Sequence, residues 1–202
     1  MLSQLRPALV MIAIFTLLTG VVFPLGFVGL GQLVFPYQAG GSLISANGRI
    51  IGSALIGQNF TSDKYFHGRA SALTGTDPKD SSKQVPTPYD AGESGASNLG
   101  PTNKALIDRV TADVATYPAR PVPADAVTSS ASGLDPDISP ENARTQLARV
   151  AKARGVAAET VNAVVNRMIK PPALGFIGAP RVNVLQLNMA LDELPGTKTA
   201  SR

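Results

Sequence analysis

His67 is the only imidazole in the chain, and cysteine is absent. Acid–base or metal chemistry would therefore have to use that one ring or carboxylates. A Ser-His-Asp set would draw on Asp63 and Ser71, which lie too close to His67 in sequence to mean much, and no Gly-x-Ser-x-Gly string occurs. A structural histidine beside Tyr65 and Phe66 is the simpler reading. Asp135, Asp137 and Glu141 suggest a calcium loop, but their spacing is not that of an EF-hand. Acids ahead of a helix start already have a structural reason. There is no Gly-x4-Gly-Lys-Ser/Thr loop for phosphate, and Gly92, Gly95 and Gly100 read as turn glycines. These residues point to no catalytic centre and no metal site.

The element that must position everything else is the apolar run from Pro7 to Phe35. No charged residue lies between Arg6 and Arg49, and the first acid is Asp63. About 20 residues at ~1.5 Å each cross a hydrocarbon core of ~30 Å, so a core of about residues 8–30 spans a bilayer. A buried helix of a soluble domain would show a polar stripe, and here only Thr16, Thr19 and Gln32 are polar. A cleaved signal peptide is a second rival, but its apolar region is usually ~7–15 residues and ends at a small-x-small site. Arg6 on one side, against no cation before Arg49 on the other, places residues 1–6 in the cytoplasm and the bulk of the chain outside. Ala13, Thr16 and Gly20 share one face on which another helix can approach closely. Pro24 is expected to kink the helix. Gly and Pro are also common in membrane helices generally, which leaves a plain anchor as the alternative.

The expected organisation is an exported α/β (α+β) domain, residues 36–195, with a long loop at 73–101 and a flexible tail at 196–202. Asn47-Gly48 between SLISA and RIIGSALIGQ predicts a hairpin with a two-residue turn. Helical spacing predicts a helix over Asn103–Tyr117, with Leu106, Ile107, Val110, Val114 and Tyr117 on one face and Pro118 as its stop. Residues Val127–Ile138 read as a loop. Ser139-Pro140-Glu141 starts a helix that Gly155 ends. A further helix over Val156–Ile169 carries Val161, Val164, Val165, Met168 and Ile169. Val182–Leu194 reads as a helix capped by Asn183, with a strand over RVNVLQL as the alternative. The formal charge of +4 is modest and the cations are scattered, which argues against nucleic-acid binding. With 19 glycines and 16 prolines the domain should be loop-rich.

Several strings taken together carry a resemblance: LRPAL, GSLI, GSALIGQNF, YFHGR, SGASNLGPTN, VTSSASGLDPDISP, RVAKARG and RVNVLQLNMALD. In this order the chain resembles the C subunit of the Kdp potassium-transporting P-type ATPase. Ala70 stands where the family usually has proline after YFHGR, and Ala96 where it has the second glycine of SGGSNL. The resemblance implies a non-catalytic accessory subunit of a bacterial inner-membrane complex. A channel-like subunit of that complex carries potassium and a P-type subunit hydrolyses ATP. It further implies a catalytic chaperone that raises the catalytic subunit's ATP affinity, with ATP as that subunit's ligand and no cofactor of the chain's own. Ser94, Gly95, Ser97 and Asn98 belong to the string that the family relates to nucleotide. The expected topology puts them outside, away from cytoplasmic ATP, so any effect on ATP must pass through protein contacts. A signal-anchored exported enzyme or binding module unrelated to ion transport is the alternative.

Overall fold

Pro24 offers no N–H to the carbonyl of Gly20, and its ring crowds that oxygen. The chain answers by widening one helical turn. In the computed structural model, which describes residues 2–117 and 120–194, a short 3-10 turn leads into helix α1, Leu5–Leu17. A π-helical turn follows at Leu18–Val22, where the N–H of Phe23 donates to Leu18 O. Helix α2, Phe23–Val34, then carries Pro24 near its start. The irregularity expected at Pro24 thus takes the form of a π turn just upstream. Helix character runs unbroken from Leu5 to Val34, ~45 Å at ~1.5 Å per residue. None of its side chains is buried. Thr19 turns its hydroxyl back onto Phe15 O at 2.6 Å, so this polar group is satisfied within the helix.

Cα packing divides the chain between Ser53 and Ala54. After α2 the first unit adds a single turn, α3 (Pro36–Ala39), and a hairpin of β1 (Leu43–Ala46) and β2 (Arg49–Ser53). Asn47 and Gly48 adopt φ of +51° and +75°, the left-handed pair a two-residue turn requires. The pairing ends at Leu43↔Ser53, with a register shift between Ile44 and Ser45. The strand expected to continue to Gln58 therefore stops five residues earlier.

The second unit has its core in three helices: α6, Pro140–Arg154; α7, Ala158–Met168; and α8, Val184–Asp192. Ahead of them lie the hairpin β3 (Thr74–Asp77) and β4 (Asp80–Pro86), helix α4 (Lys104–Ala115), the turn α5 (Ala124–Val127) and β5 (Asp137–Ile138). Strand β6, Val182–Asn183, pairs antiparallel with β5. The result is an α+β chain whose described residues form three two-stranded sheets.

Local chemistry sets the helix ends. Ser139 Oγ accepts from Asn142 N at 3.0 Å, and Gly155 closes α6 at φ +67°. Asn183 caps α8 and Asn103 caps α4. The i, i+3, i+4 valines Val161, Val164 and Val165 of α7 are buried against Val150 of α6, Leu187 and Leu191 of α8, Ile138, Val182 and Phe66. Met168 and Ile169 border this core half-buried.

Two regions differ from expectation. The stretch 73–101, read as a loop, contains the β3–β4 hairpin. Its strands are Ser/Thr/Asp/Lys-rich and largely solvent-facing, so no apolar alternation marks them. Asp77 Oδ1 accepts from Lys79 N at 2.8 Å and sets the turn. The stretch 127–138, also read as a loop, ends in β5. In α4 no side chain is fully buried and Ile107 faces solvent, although the other members of its expected stripe are half-buried. Pro118, the expected stop, and the tail 196–202 lie outside the described residues.

Candidate functional site

The segment Tyr65–Arg69 has no regular secondary structure and no sheet partner. Its backbone must still be satisfied, and two side-chain amides do this. Asn188 of α8 accepts from Phe66 N at 2.8 Å and donates to Phe66 O at 3.0 Å. Gln146 of α6 does the same for His67, at 2.8 and 3.1 Å. Each amide stands in for one residue of a neighbouring strand. Asn188 is buried, and Phe66 between them is 0% exposed.

Two arginines of α6 complete the clamp. Arg149 donates to Asp63 O (2.8 Å), Tyr65 O (3.0 Å) and Gln146 Oε1 (2.8 Å). Arg154, with its side chain 3% exposed, donates to Lys64 O, Leu191 O and Asp192, and its guanidinium lies over the Tyr65 ring. A planar guanidinium with five donors suits this multiple capture of carbonyls.

His67 sits within this framework. Its Nε2 is 3.3 Å from Arg149 Nη1 and 3.2 Å from Ser62 O. Burial first, and the Arg149 charge second, lower its pKa from the ordinary imidazole value. Nε2 thus faces a donor, Arg149, and an acceptor, the Ser62 carbonyl, and the ring's tautomer sets which of the two it serves. Ser71 Oγ accepts from its neighbour Leu73 N, and Asp63 is an exposed carboxylate 3.7 Å from Arg149. The arrangement holds a loop.

The acids are dispersed among separate partners. Asp135 pairs with Arg69 at 3.0 Å, and Asp137 pairs with Arg181 at 3.1 Å while also accepting from Asn183. Burial raises the Asp137 carboxyl above the usual range. Asp125 takes the N–H and hydroxyl of Ser139 and the amide of Asn142. Glu141 faces Arg144 at 3.8 Å. Among the described residues no three His, Cys, Asp or Glu side chains converge on a metal position.

Ser94 and Gly95 are tied to the turn at 130–134: Ser94 Oγ donates to Ser132 O at 3.2 Å and Gly95 N to the same oxygen at 3.0 Å. Ser97 and Asn98 lie exposed beyond them, Asn98 at φ +52°. The Gly95 amide, which a phosphate would need, is thus already used. Ala70 O accepts from Ser130 N at 3.0 Å, a bond that proline at this position would also make. In the first unit Ala13, Thr16 and Gly20 are exposed, and a Cβ on Gly20 would meet nothing within 4 Å.

Tyr89 was not singled out by sequence. Its ring presses on the backbone of Gly57 and Gly68, where a Cβ would collide with it, and its hydroxyl donates to Arg69 O at 2.7 Å. Burial, then the Asp135 charge, push the phenol up to about 12. The two glycines of GQNF and YFHGR are the only sequence trace of this contact. Two open cavities of about 420 and 540 Å³ flank the segment, one beside His67, Tyr117 and Arg149, the other beside Arg69, Asp137 and Arg181.

The site's residues are therefore scaffold residues, and the relationship to known proteins covers scaffold and span alike. Residues 5–193 match the family model of KdpC, described as the c chain of K+-transporting ATPase. This chain belongs to the KdpC family. A potassium-transporting ATPase KdpC subunit of Rhodopseudomonas palustris is 59% identical over 196 residues, covering 95% of this chain and 98% of that one. Proteins of the same description from Methylobacterium nodulans and Bradyrhizobium diazoefficiens are each 55% identical, the former over 97% of this chain and 100% of its own, the latter over 95% and 98%. The strings that carried the KdpC resemblance now have physical roles. YFHGR is the clamped segment, RVAKARG supplies Arg149, Arg154 and the α6 stop, and RVNVLQLNMALD supplies the α8 cap, the core leucines and Asn188.

Proposed function

We propose that this KdpC-family chain is an accessory subunit, without a catalytic centre of its own, of an ATP-driven potassium-uptake complex in a bacterial inner membrane. It stabilises the assembly and raises the ATP affinity of the P-type catalytic subunit. The observation that carries this reading is the reach of the family match, which takes in both the apolar helix and the unit beyond it. Its partners in this reading are a channel-like potassium-translocating subunit and the P-type ATP-hydrolysing subunit. Ala13, Thr16 and Gly20 form the face on which a helix of the complex packs. Arg6 keeps the N-terminus cytoplasmic, and the remainder is periplasmic.

In this orientation Ser94–Asn98 and ATP are on opposite sides of the bilayer. The chain then acts on ATP binding only by contacting one state of the pump more favourably than another. A coupling on the order of 1–3 kcal/mol corresponds to roughly 5–150-fold in affinity. The outer unit suits such a role because its arginines and amides at α6 and α8 are spent on holding their own backbone.

Isolation of the complex in mild detergent, with and without this chain, tests the proposal through potassium-stimulated ATPase. The expected result without it is loss of assembly or a raised KM for ATP. Unchanged assembly and unchanged ATP dependence would sink the proposal. Since the chain has no cysteine, Thr160→Cys, at an exposed position, gives a unique label. It should react with an impermeant reagent from outside spheroplasts, and protection there would reverse the topology.

A further inference from the structure

From Glu159 to Asp192 the chain has no intervening acid, and its charged side chains there are Arg167, Lys170 and Arg181, all exposed. In the middle of this cationic stretch, between α7 and β6, stand Leu174, Phe176 and Ile177, exposed by 83%, 77% and 52%. Among the described residues the second unit exposes five large apolar side chains, the others being Leu55 and Ile107. Three of the five are thus gathered on one loop.

That loop is built, not frayed. Lys170 and Arg181 exchange backbone hydrogen bonds at its base, at 2.8 and 3.0 Å. Ala173 and Ile177 do so nearer the tip, at 3.0 and 2.9 Å, and the N–H groups of Gly175 and Phe176 also bond inside the loop. Leu174 is held at φ +53°, a conformation uncommon for a leucine. The backbone therefore holds an apolar side chain outward while satisfying the donors of Ala173, Gly175, Phe176 and Ile177 within the loop. Each donor met inside the loop lowers the cost of bringing the tip to the lipid interface, because lipid offers no hydrogen-bond partners. Arg167 and Lys170 precede the loop in sequence, Lys170 at its base with Nζ donating to Gln186 Oε1 at 2.9 Å, and the charge of Arg181 is partly offset by Asp137 at 3.1 Å.

We propose that residues 173–178 are a membrane-contact loop. Leu174, Phe176 and Ile177 enter the interfacial layer of the bilayer that holds the span, and Arg167 and Lys170 meet anionic phospholipid headgroups. Charge complementarity favours this occupant, since a cationic collar around an apolar tip matches an anionic surface over an apolar layer. The tether favours it too. The segment between Val34 and Ala54, about 20 residues, extends at most ~70 Å, so the second unit always stays close to the membrane and pays little to find it. The proposal rests on residues 5–34 crossing a membrane and needs no pump partner.

The chain contains no tryptophan, so Phe176→Trp places a single reporter at the tip. The full chain carrying it is reconstituted in vesicles of phosphatidylcholine with phosphatidylglycerol, and of phosphatidylcholine alone, with brominated acyl chains as quencher. Blue-shifted emission, quenched about twofold or more by bromolipid and more strongly in the anionic vesicles, is expected. Adding Arg167→Gln and Lys170→Gln should remove the anionic preference. Ile107→Trp, elsewhere on the unit, should remain unquenched, and Val21→Trp in the span should be quenched in both lipids. Water-like emission at Phe176→Trp that bromolipid does not touch, with Val21→Trp quenched, would overturn the loop alone. If neither is quenched, the spanning helix falls with it. Bromolipid quenching absent in vesicles, with a blue shift only when the larger pump subunits are present, would assign the loop to a protein partner and overturn the proposal.

Discussion

The helix of residues 5–34 and the α6–α8 core are both built from aliphatic side chains, yet the first buries none of them and the second buries its entire valine stripe. The difference lies in what each leaves for others. In the core, Val161, Val164 and Val165 meet Leu187, Leu191 and Phe66, and the backbone groups of the neighbouring 63–67 segment are met by Asn188, Gln146, Arg149 and Arg154. Along the helix every apolar side chain faces outward, so its partners must be lipid or another protein. In this KdpC-family chain the outward-facing surfaces are the ones available for interaction, and the residues of YFHGR, RVAKARG and RVNVLQLNMALD named above hold the fold together.

The strongest way to break the comparison is to remove an amide from the core. Asn188→Leu strands both polar groups of Phe66 in a buried site and should cost about 3 kcal/mol, read as a lowered unfolding midpoint by circular dichroism. If the midpoint does not move, the Phe66 backbone is not held as described. Gly68→Val drives a branched side chain into the Tyr89 ring and should cost about 2 kcal/mol. Adding Tyr89→Ala should then recover part of that loss, whereas additive losses would argue against the contact.

A smaller effect comes from His67. Its pKa is lowered on folding, so the unfolded chain takes up a proton more readily than the folded one. Stability should be full above the ordinary imidazole value of ~6.5 and decline as pH falls through it. His67→Gln should flatten that slope in a pH series of unfolding midpoints, and an unchanged slope would assign the decline to other groups. The smallest effect on stability is expected in the helix. Gly20→Leu meets open space and should alter unfolding of the second unit by less than about 0.5 kcal/mol, while reducing co-purification with the other subunits of the proposed complex. A large stability loss would mean that Gly20 serves this chain's own fold.

Short-range chemistry was readable in the residues. Ser139-Pro140-Glu141 and Gly155 mark α6 because caps act within one turn, and Asn47-Gly48 marks its hairpin because only a few residue types accept positive φ there. The β3–β4 hairpin was not readable, since a strand wet on both faces has no apolar period to betray it. At the clamped segment the side chains that hold the backbone around His67 were invisible in the sequence. Gln146 is 79 residues away and Asn188 is 122 residues from Phe66. Asparagine and glutamine also carry no spacing signal when they act as surrogate strand partners.

By itself, then, the sequence determined the long apolar helix, the ends of α6 and the family, because each is written in local pattern or in strings that survive without a fold. Only the tertiary structure decided what those strings do. It clamped YFHGR between α6 and α8, spent the Gly95 amide on Ser132, and pushed Leu174, Phe176 and Ile177 into the open. The physical reason is common to all three. Burial and hydrogen-bond satisfaction are settled between residues far apart in sequence, so they exist only once the chain has folded.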